Sequence, residues 1–212
     1  MDLVPVVFSS GWASGVNAYA TILVLGLFGR FTDVEAFPIP DVLTRTDVLV
    51  AAALLFTVEF VTDKIPYLDS AWDLVSTAIR PSVGAVIALL VSGDASSLDQ
   101  AVYATIGGGT ALLSHVVKSG LRLAINASPE PFSNAGMSVV EDSAVATVVT
   151  LAVYHPWLAL GVAAALLVLG LILLFVVFRY TRRGWRRWNR RDRDGAVQAT
   201  SARSGPGRPP RE

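Results

Sequence analysis

The chain has 212 residues, of which 53% are hydrophobic and 16% charged, and its mean hydropathy is +0.55. A soluble domain carries about a quarter charged residues, so this composition argues against a typical soluble protein. The formal net charge is zero, but eleven of the 17 basic residues are arginines that follow residue 178. An apolar body with a basic tail argues against a nucleic-acid-binding protein. The absence of cysteine excludes disulfides and thiolate metal sites.

Apolar segments recur along most of the chain and predict an all-α fold. We expect a polytopic transmembrane helix bundle of about six spans, some of them short or broken. The predicted spans are residues 5–29, 46–62, 79–92, 100–125, 137–154 and 157–178. The last span is the strongest, because its 22 uncharged residues cover about 33 Å as a helix. Residues 1–155 are therefore predicted to form the main membrane domain, and residues 156–178 the last transmembrane helix.

The segment before the third span has a different pattern. Apolar residues recur every three or four positions from Ile65 to Ile79, and polar residues from Asp69 to Arg80 occupy the opposite face. This pattern predicts an amphipathic helix in the plane of the membrane interface. After Pro81, residues 82–91 are too short to span the membrane alone, unless they continue the preceding helix.

The basic tail sets the predicted orientation. Residues 179–193 contain eight arginines and follow an apolar span directly, which is typical of a cytoplasmic segment. We therefore predict a multi-pass protein of the cell (plasma) membrane with a cytoplasmic C-terminus, and with six spans the N-terminus is cytoplasmic too. The predicted contacts with anionic lipids are Trp185, Arg186, Arg187 and Trp188. Residues 194–212 are rich in Gly, Pro, Ser and Arg, which predicts disorder.

This topology places charged and polar residues from several spans in the cytoplasmic half of the bundle. Such residues are costly in a membrane unless they pair or meet water, so they are candidates for function. The candidate polar site consists of Asn17, Glu59, Asp63, His115, Lys118, Arg122, Glu130, Asn134, Glu141 and Asp142. No catalytic residue is assigned within it. With two histidines and no cysteine in the chain, neither a metal nor a cofactor is predicted.

Two alternatives compete with a functional role for these residues. Asp63, Lys118 and Arg122 can extend into the headgroup region from the ends of their helices. Ser138 and Glu141 have the S-x-x-E spacing of a capping box, so Glu141 can instead complete the start of a helix.

Several motifs resemble those of a known family. The strings are SGVNAYAT (14–21), EFVTDKIPYLDSAWD (59–73), RPSVGA (80–85), HVVKSGLR (115–122) and NASPEPFSN (126–134). Together they resemble domain-of-unknown-function family 4126, a group of bacterial and plant integral membrane proteins. The resemblance covers roughly residues 8–155, with the last helix and the arginine tail outside it. It implies an integral membrane protein and no particular activity.

Three functions fit the sequence. The first is a small transporter or channel for an ion or a small polar solute, with Glu59 as the proton or cation acceptor and Lys118 and Arg122 as anion contacts. Similar small-residue strings at Gly15 and Gly108 suggest an inverted repeat, a common transporter architecture. The alternatives are a non-catalytic membrane scaffold or assembly factor, and a membrane-embedded enzyme acting on a phosphorylated lipid headgroup. The lipid bilayer is the expected partner, and oligomerisation stays open.

Overall fold

The computed structural model describes residues 3–32, 39–65, 68–126 and 131–203, and for residues 126, 131–134 and 183–203 it describes the backbone alone. Every regular element in these ranges is a helix, which confirms the all-α prediction. The helices are α1 (Val4–Val16), α2 (Ala18–Phe31), α3 (Asp41–Thr44), α4 (Thr46–Thr62), α5 (Leu68–Ser92), α6 (Ser97–Asn126), α7 (Pro131–Tyr154) and α8 (Pro156–Arg203). The chain divides into two compact units, Met1–Leu173 and Leu174–Glu212, and the bundle is in the first.

Three helical segments within the described residues are long and apolar enough to cross a membrane: Leu68–Ser92, Ala135–Tyr154 and Pro156–Arg182. Two shorter helices, α1 and α2, are also apolar. These segments confirm a helical membrane protein. The predicted number of six spans stays a prediction, because α4 has only 17 residues and the 30 residues of α6 include several charged side chains.

The first apolar segment is divided at Asn17, where α1 ends and α2 begins. Asn17 has an extended backbone, and its side-chain oxygen accepts a hydrogen bond of 2.9 Å from the Ala20 N–H. Asparagine is a preferred N-cap because it satisfies a donor left without a partner at the start of a helix. The prediction of short or broken helices is thus confirmed here. By contrast, α6 runs unbroken through Gly108, and the inverted repeat stays a prediction.

One continuous helix, α5, contains the predicted amphipathic helix and the short segment after Pro81, which continues it. It has 25 residues with Pro81 inside it. Its polar face, which includes Asp69, Asp73 and Arg80, is buried in the protein. Two of these residues have partners on neighbouring helices: Arg80 pairs with Glu59, and Asp69 lies 3.9 Å from Arg122. The position of this helix relative to the membrane plane stays a prediction.

Small residues allow α1, α5 and α6 to approach closely. A Cβ atom built on Gly107 of α6 would lie 2.6 Å from the carbonyl oxygen of Gly84 on α5. A Cβ atom on Gly11 of α1 would meet the Gly107 backbone in the same way. Membrane helices commonly associate through such small residues, because backbone contact replaces the missing hydrophobic driving force. These glycines bring the charged residues of α5 and α6 within reach of α1.

The bundle exposes apolar side chains and buries polar ones. On α4, Leu54 is 65% exposed, whereas Glu59, five residues later, is 0% exposed. On α8, Leu169 and Ile172 are also exposed. A large apolar outer surface of this kind is compatible with contact with a lipid bilayer.

The second unit contains the end of α8. The backbone of α8 is helical through Arg203, including residues 194–203, where the composition predicts disorder. The predicted lipid contacts Trp185, Arg186, Arg187 and Trp188 lie on this helix, but their side chains lie outside the described part of the chain. Residues 204–212 lie outside it as well.

Candidate functional site

Three buried cations form the centre of a polar network in the described part of the bundle. Arg80 comes from α5, and Lys118 and Arg122 come from α6; each is at most 3% exposed. Lys118 and Arg122 are four residues apart, so they lie on the same face of their helix. Partners for all three come from α1, α4, α5 and α7.

Arg80 connects three polar residues on three helices. Its Nη2 lies 2.7 Å from Glu59 Oε1 on α4 and 3.2 Å from Asp73 Oδ1 on α5. Its Nη1 lies 2.8 Å from His115 Nδ1 on α6, and His115 Nε2 lies 3.0 Å from the Thr77 hydroxyl. Because a guanidinium only donates, Nδ1 acts as the acceptor, and a neutral ring carries its proton on Nε2.

Lys118 is held by three carboxylates and by the end of α1. Its Nζ lies 3.1 Å from Asp63 Oδ2, 3.3 Å from Glu59 Oε1 and 3.4 Å from Glu141 Oε2. It also donates a hydrogen bond of 2.8 Å to the carbonyl oxygen of Val16. The last carbonyls of a helix have no partner within that helix and carry partial negative charge. The break at Asn17 thus supplies an acceptor for Lys118.

Arg122 joins Asp63, the residue directly after α4, to α7. Its Nη2 donates a hydrogen bond of 2.8 Å to Asp63 Oδ2 and a second one to Glu141 Oε2. Its Nη1 lies 3.3 Å from the Asp63 carbonyl oxygen and 3.9 Å from Asp69 Oδ2. Beside this cluster, Asn17 Nδ2 donates a hydrogen bond of 3.0 Å to Asp142 Oδ1.

The network contains more carboxylates than cations. Within the described residues, three cations contact five carboxylates: Glu59, Asp63, Asp69, Asp73 and Glu141. Several buried carboxylate oxygens, among them Glu59 Oε2 and Asp73 Oδ2, have no hydrogen-bond donor in the described part. Buried acceptors of this kind are costly unless a proton, a cation or water satisfies them. The cluster therefore has capacity for positive charge.

A family model described as a domain of unknown function, DUF4126, matches residues 4–176. The chain belongs to the DUF4126 family. The resemblance found in the sequence motifs is thereby confirmed. The match extends through most of the last apolar helix, so the expectation that this helix lies outside the family is wrong for residues 156–176. Neither a curated protein nor a solved structure matches the chain.

Two cavities of this DUF4126 protein reach the network. An apolar cleft of about 260 Å³ lies between α1, α6, α7 and α8, and its lining includes Lys118 and Glu141. A more polar cavity of about 200 Å³ lies between α5 and α6; its lining is Ser70, Asp73, Leu74, Thr77, Ser119 and Leu123. Glu59 and His115 line neither of these cavities and are almost fully buried.

Most of the residues predicted from the sequence come together in the DUF4126 bundle. Six of them, Glu59, Asp63, His115, Lys118, Arg122 and Glu141, lie in the network, and Asn17 and Asp142 pair beside it. Glu130 lies outside the described residues, as does the side chain of Asn134. Arg80, Asp73 and Thr77 are network residues that the sequence-based site did not include.

Both alternatives to a polar site are wrong. Asp63, Lys118 and Arg122 do not extend out of the bundle, because all three are buried and Asp63 pairs with both Lys118 and Arg122. Glu141 does not complete a helix start, because α7 begins at Pro131, ten residues earlier. The charged group of Glu141 pairs with Lys118 and Arg122 instead.

Proposed function

We propose that this protein is a small transporter or channel of the cell membrane that moves a small cation. One observation carries the proposal: a buried network of three cations and five carboxylates lies inside an apolar helix bundle. Ionisable residues inside a membrane are costly, and they commonly mark ion or proton pathways. Among the described residues the carboxylates that contact these cations outnumber them, which leaves room for an additional positive charge.

The charge balance favours a cation over an anion. Lys118 and Arg122 carry the positive charge that an anion site requires, but both are already paired with Asp63 and Glu141. An entering anion would have to displace these carboxylates. A proton or a metal cation instead compensates the excess negative charge without breaking a pair. Glu59 is the proposed acceptor, since its Oε2 has no hydrogen-bond donor among the described residues.

The broken helix at Asn17 supports transport as well. The carbonyl oxygens of Gly15 and Val16, at the end of α1, lie 3.4 Å from Arg80 Nη1 and 2.8 Å from Lys118 Nζ. Secondary transporters bind their ions near the ends of discontinuous helices, where backbone carbonyls act as ligands. In this protein each of these carbonyls contacts a cation that also pairs with a carboxylate. A shift of Arg80 would release the Gly15 carbonyl for an incoming ion, and a shift of Lys118 would release the Val16 carbonyl.

The proposed orientation places the C-terminus in the cytoplasm. Residues 179–193, with eight arginines, form the proposed anchor on anionic headgroups, where each basic residue contributes about 1 kcal/mol. Residues 1–155 and 156–178 form the proposed membrane domain and the last transmembrane helix. The inner surface of the cell membrane is the matching environment, because a positive segment after an apolar span stays on that side.

Reconstitution into liposomes tests the proposal. The purified protein is placed in vesicles with an outward gradient of K⁺, Na⁺ or H⁺, and ion movement is followed with fluorescent indicators. We expect at least one of these cations to move faster than in empty vesicles, while Cl⁻ does not. Equal rates with and without protein for all three cations would contradict the proposal.

A non-catalytic scaffold is the second candidate, and one observation favours it. Each of the three cations contacts at least two carboxylates, so the network also holds α4, α5, α6 and α7 together. In a pure scaffold, neutralising the network would lower stability and change no flux. An enzyme acting on a phosphorylated headgroup gains no support, because Lys118 and Arg122 direct their charges to carboxylates.

A further inference from the structure

We infer that the polar cavity between α5 and α6 is a binding site for a monovalent cation, with the carboxylate of Asp73 as its charged ligand. This inference rests on the proposed cation transport and names the place where the ion meets the network. Asp73 belonged to the polar face of a predicted interfacial helix and was not among the site residues predicted from the sequence.

The geometry of Asp73 carries the inference. Asp73 is 4% exposed, yet it lines the cavity together with Ser70, Thr77 and Ser119. Neither of its carboxylate oxygens accepts a hydrogen bond in the described part of the chain. The nearest cation, Arg80 Nη2, lies 3.2 Å from Oδ1 and is shared with Glu59. A buried carboxylate of this kind needs a further positive or donating partner.

The chemistry of the lining selects the type of ligand. The cavity presents one carboxylate and three hydroxyl groups, all of them oxygen ligands. The described residues contain no group of three or more acidic or imidazole side chains suited to a metal ion. Divalent cations usually require several carboxylates or a rigid octahedral shell. A single carboxylate with hydroxyls and water therefore suits a monovalent cation, and about 200 Å³ leaves room for several water molecules.

Arg80 connects this cavity to the centre of the network. The same Nη2 atom contacts Asp73 and Glu59, while Nη1 contacts His115. A cation bound at Asp73 repels the guanidinium and shifts it toward Glu59, its closer partner at 2.7 Å. An ion entering the cavity therefore acts on the proposed acceptor without direct contact. Weak binding at such a site is useful, because a conducted ion has to leave again.

Binding of ²²Na⁺ to the purified full-length protein in detergent tests the inference independently of flux. The comparison uses wild type, Asp73→Asn and Asp94→Asn, the last being an exposed carboxylate in the turn after α5. We expect saturable binding by wild type and Asp94→Asn, and binding about tenfold weaker or more for Asp73→Asn, since a unit charge at contact distance is lost. Unlabelled K⁺ then shows whether the site is selective for Na⁺.

A second variant covers the case in which Asp73→Asn folds poorly. Ser119→Leu fills the cavity with an apolar side chain and keeps the carboxylate, so it is also expected to weaken binding. Wild-type binding in both variants, or no saturable binding of Na⁺ or K⁺ by wild type, would overturn the inference. Binding without flux would contradict the proposed transport alone. Flux with unchanged binding in Asp73→Asn would contradict this site alone.

Discussion

The Nζ of Lys118 lies 2.8 Å from the carbonyl oxygen of Val16, the last residue of α1. This contact joins the broken helix to the charged network. A helix that ends inside a membrane leaves its last backbone carbonyls without hydrogen-bond donors. Each such carbonyl costs several kcal/mol of free energy. Lys118 satisfies Val16, and Arg80 lies 3.4 Å from the carbonyl of Gly15. The helix break and the cation cluster therefore depend on each other.

Neutralising Lys118 should lower stability strongly. Lys118→Met keeps the length of the side chain but leaves three carboxylates and the Val16 carbonyl without this donor. Removing one partner of a buried ion pair costs about 3–5 kcal/mol. The free energy of unfolding in detergent is the measurement. Arg45→Met is the control. The Arg45 side chain is 63% exposed, so its ion pair with Asp47 should contribute little to stability. Similar losses in both variants would contradict the assigned burial.

Asn17 serves as a helix cap and as a partner of Asp142, and two substitutions separate these roles. Asn17→Ser keeps the cap and loses the hydrogen bond to Asp142, whereas Asn17→Ala loses both. We expect the alanine variant to be the less stable of the two by about 1 kcal/mol, the usual value of an N-cap. Unfolding midpoints in detergent measure the difference. Equal stability would show that the side chain does not cap α2.

Gly107 and Gly109 offer a matched pair in the same helix. A Cβ on Gly107 would lie 2.6 Å from the Gly84 carbonyl oxygen, while a Cβ on Gly109 would meet nothing within 4 Å. Gly107→Ala should therefore push α5 away from α6 and lower the unfolding temperature. Gly109→Ala should be neutral or stabilising by up to about 1 kcal/mol, because alanine is the better helix former. Equal effects would contradict the close approach of α5 and α6.

Arg122 and Glu141 should be coupled energetically. Arg122 Nη2 donates to Glu141 Oε2, and no more than 9% of either side chain is exposed. A double-mutant cycle with Arg122→Gln and Glu141→Gln measures their interaction. We expect a coupling energy between about 0.5 and 3 kcal/mol, the range found for residues in one network. If the stability losses of the two single variants add up to that of the double variant, this pair does not join α6 to α7.

The sequence predicted the helices well, because a membrane span is a local property. The 22 uncharged residues from Trp157 to Phe178 favour a transmembrane helix whatever surrounds them. The prediction that some spans are short or broken is confirmed at Asn17, where α1 ends and α2 begins. The candidate site was predicted from the free-energy cost of burying charge in a membrane. This cost applies to Glu59 and Lys118 whatever the arrangement of the helices.

The missed residues depended on tertiary contacts. The polar face of α5, with Asp73 and Arg80, has the same periodicity whether it meets headgroups or other polar side chains. The sequence alone does not distinguish these environments, and the structure does so through Glu59 and His115, which contact Arg80. The S-x-x-E spacing at Glu141 similarly occurs at helix starts and within helices. Only the position of Pro131 shows which applies.

Cation flux of Glu59→Gln in liposomes tests most directly whether the buried network passes ions. Glutamine keeps the size of the side chain and removes the charge that contacts Arg80 and Lys118. The variant is measured at a temperature where it elutes as a single folded species, beside wild type and Glu59→Asp. We predict that the cation flux of wild type falls to the level of empty vesicles in Glu59→Gln and is partly kept in Glu59→Asp. Wild-type flux in a folded Glu59→Gln protein would contradict this role.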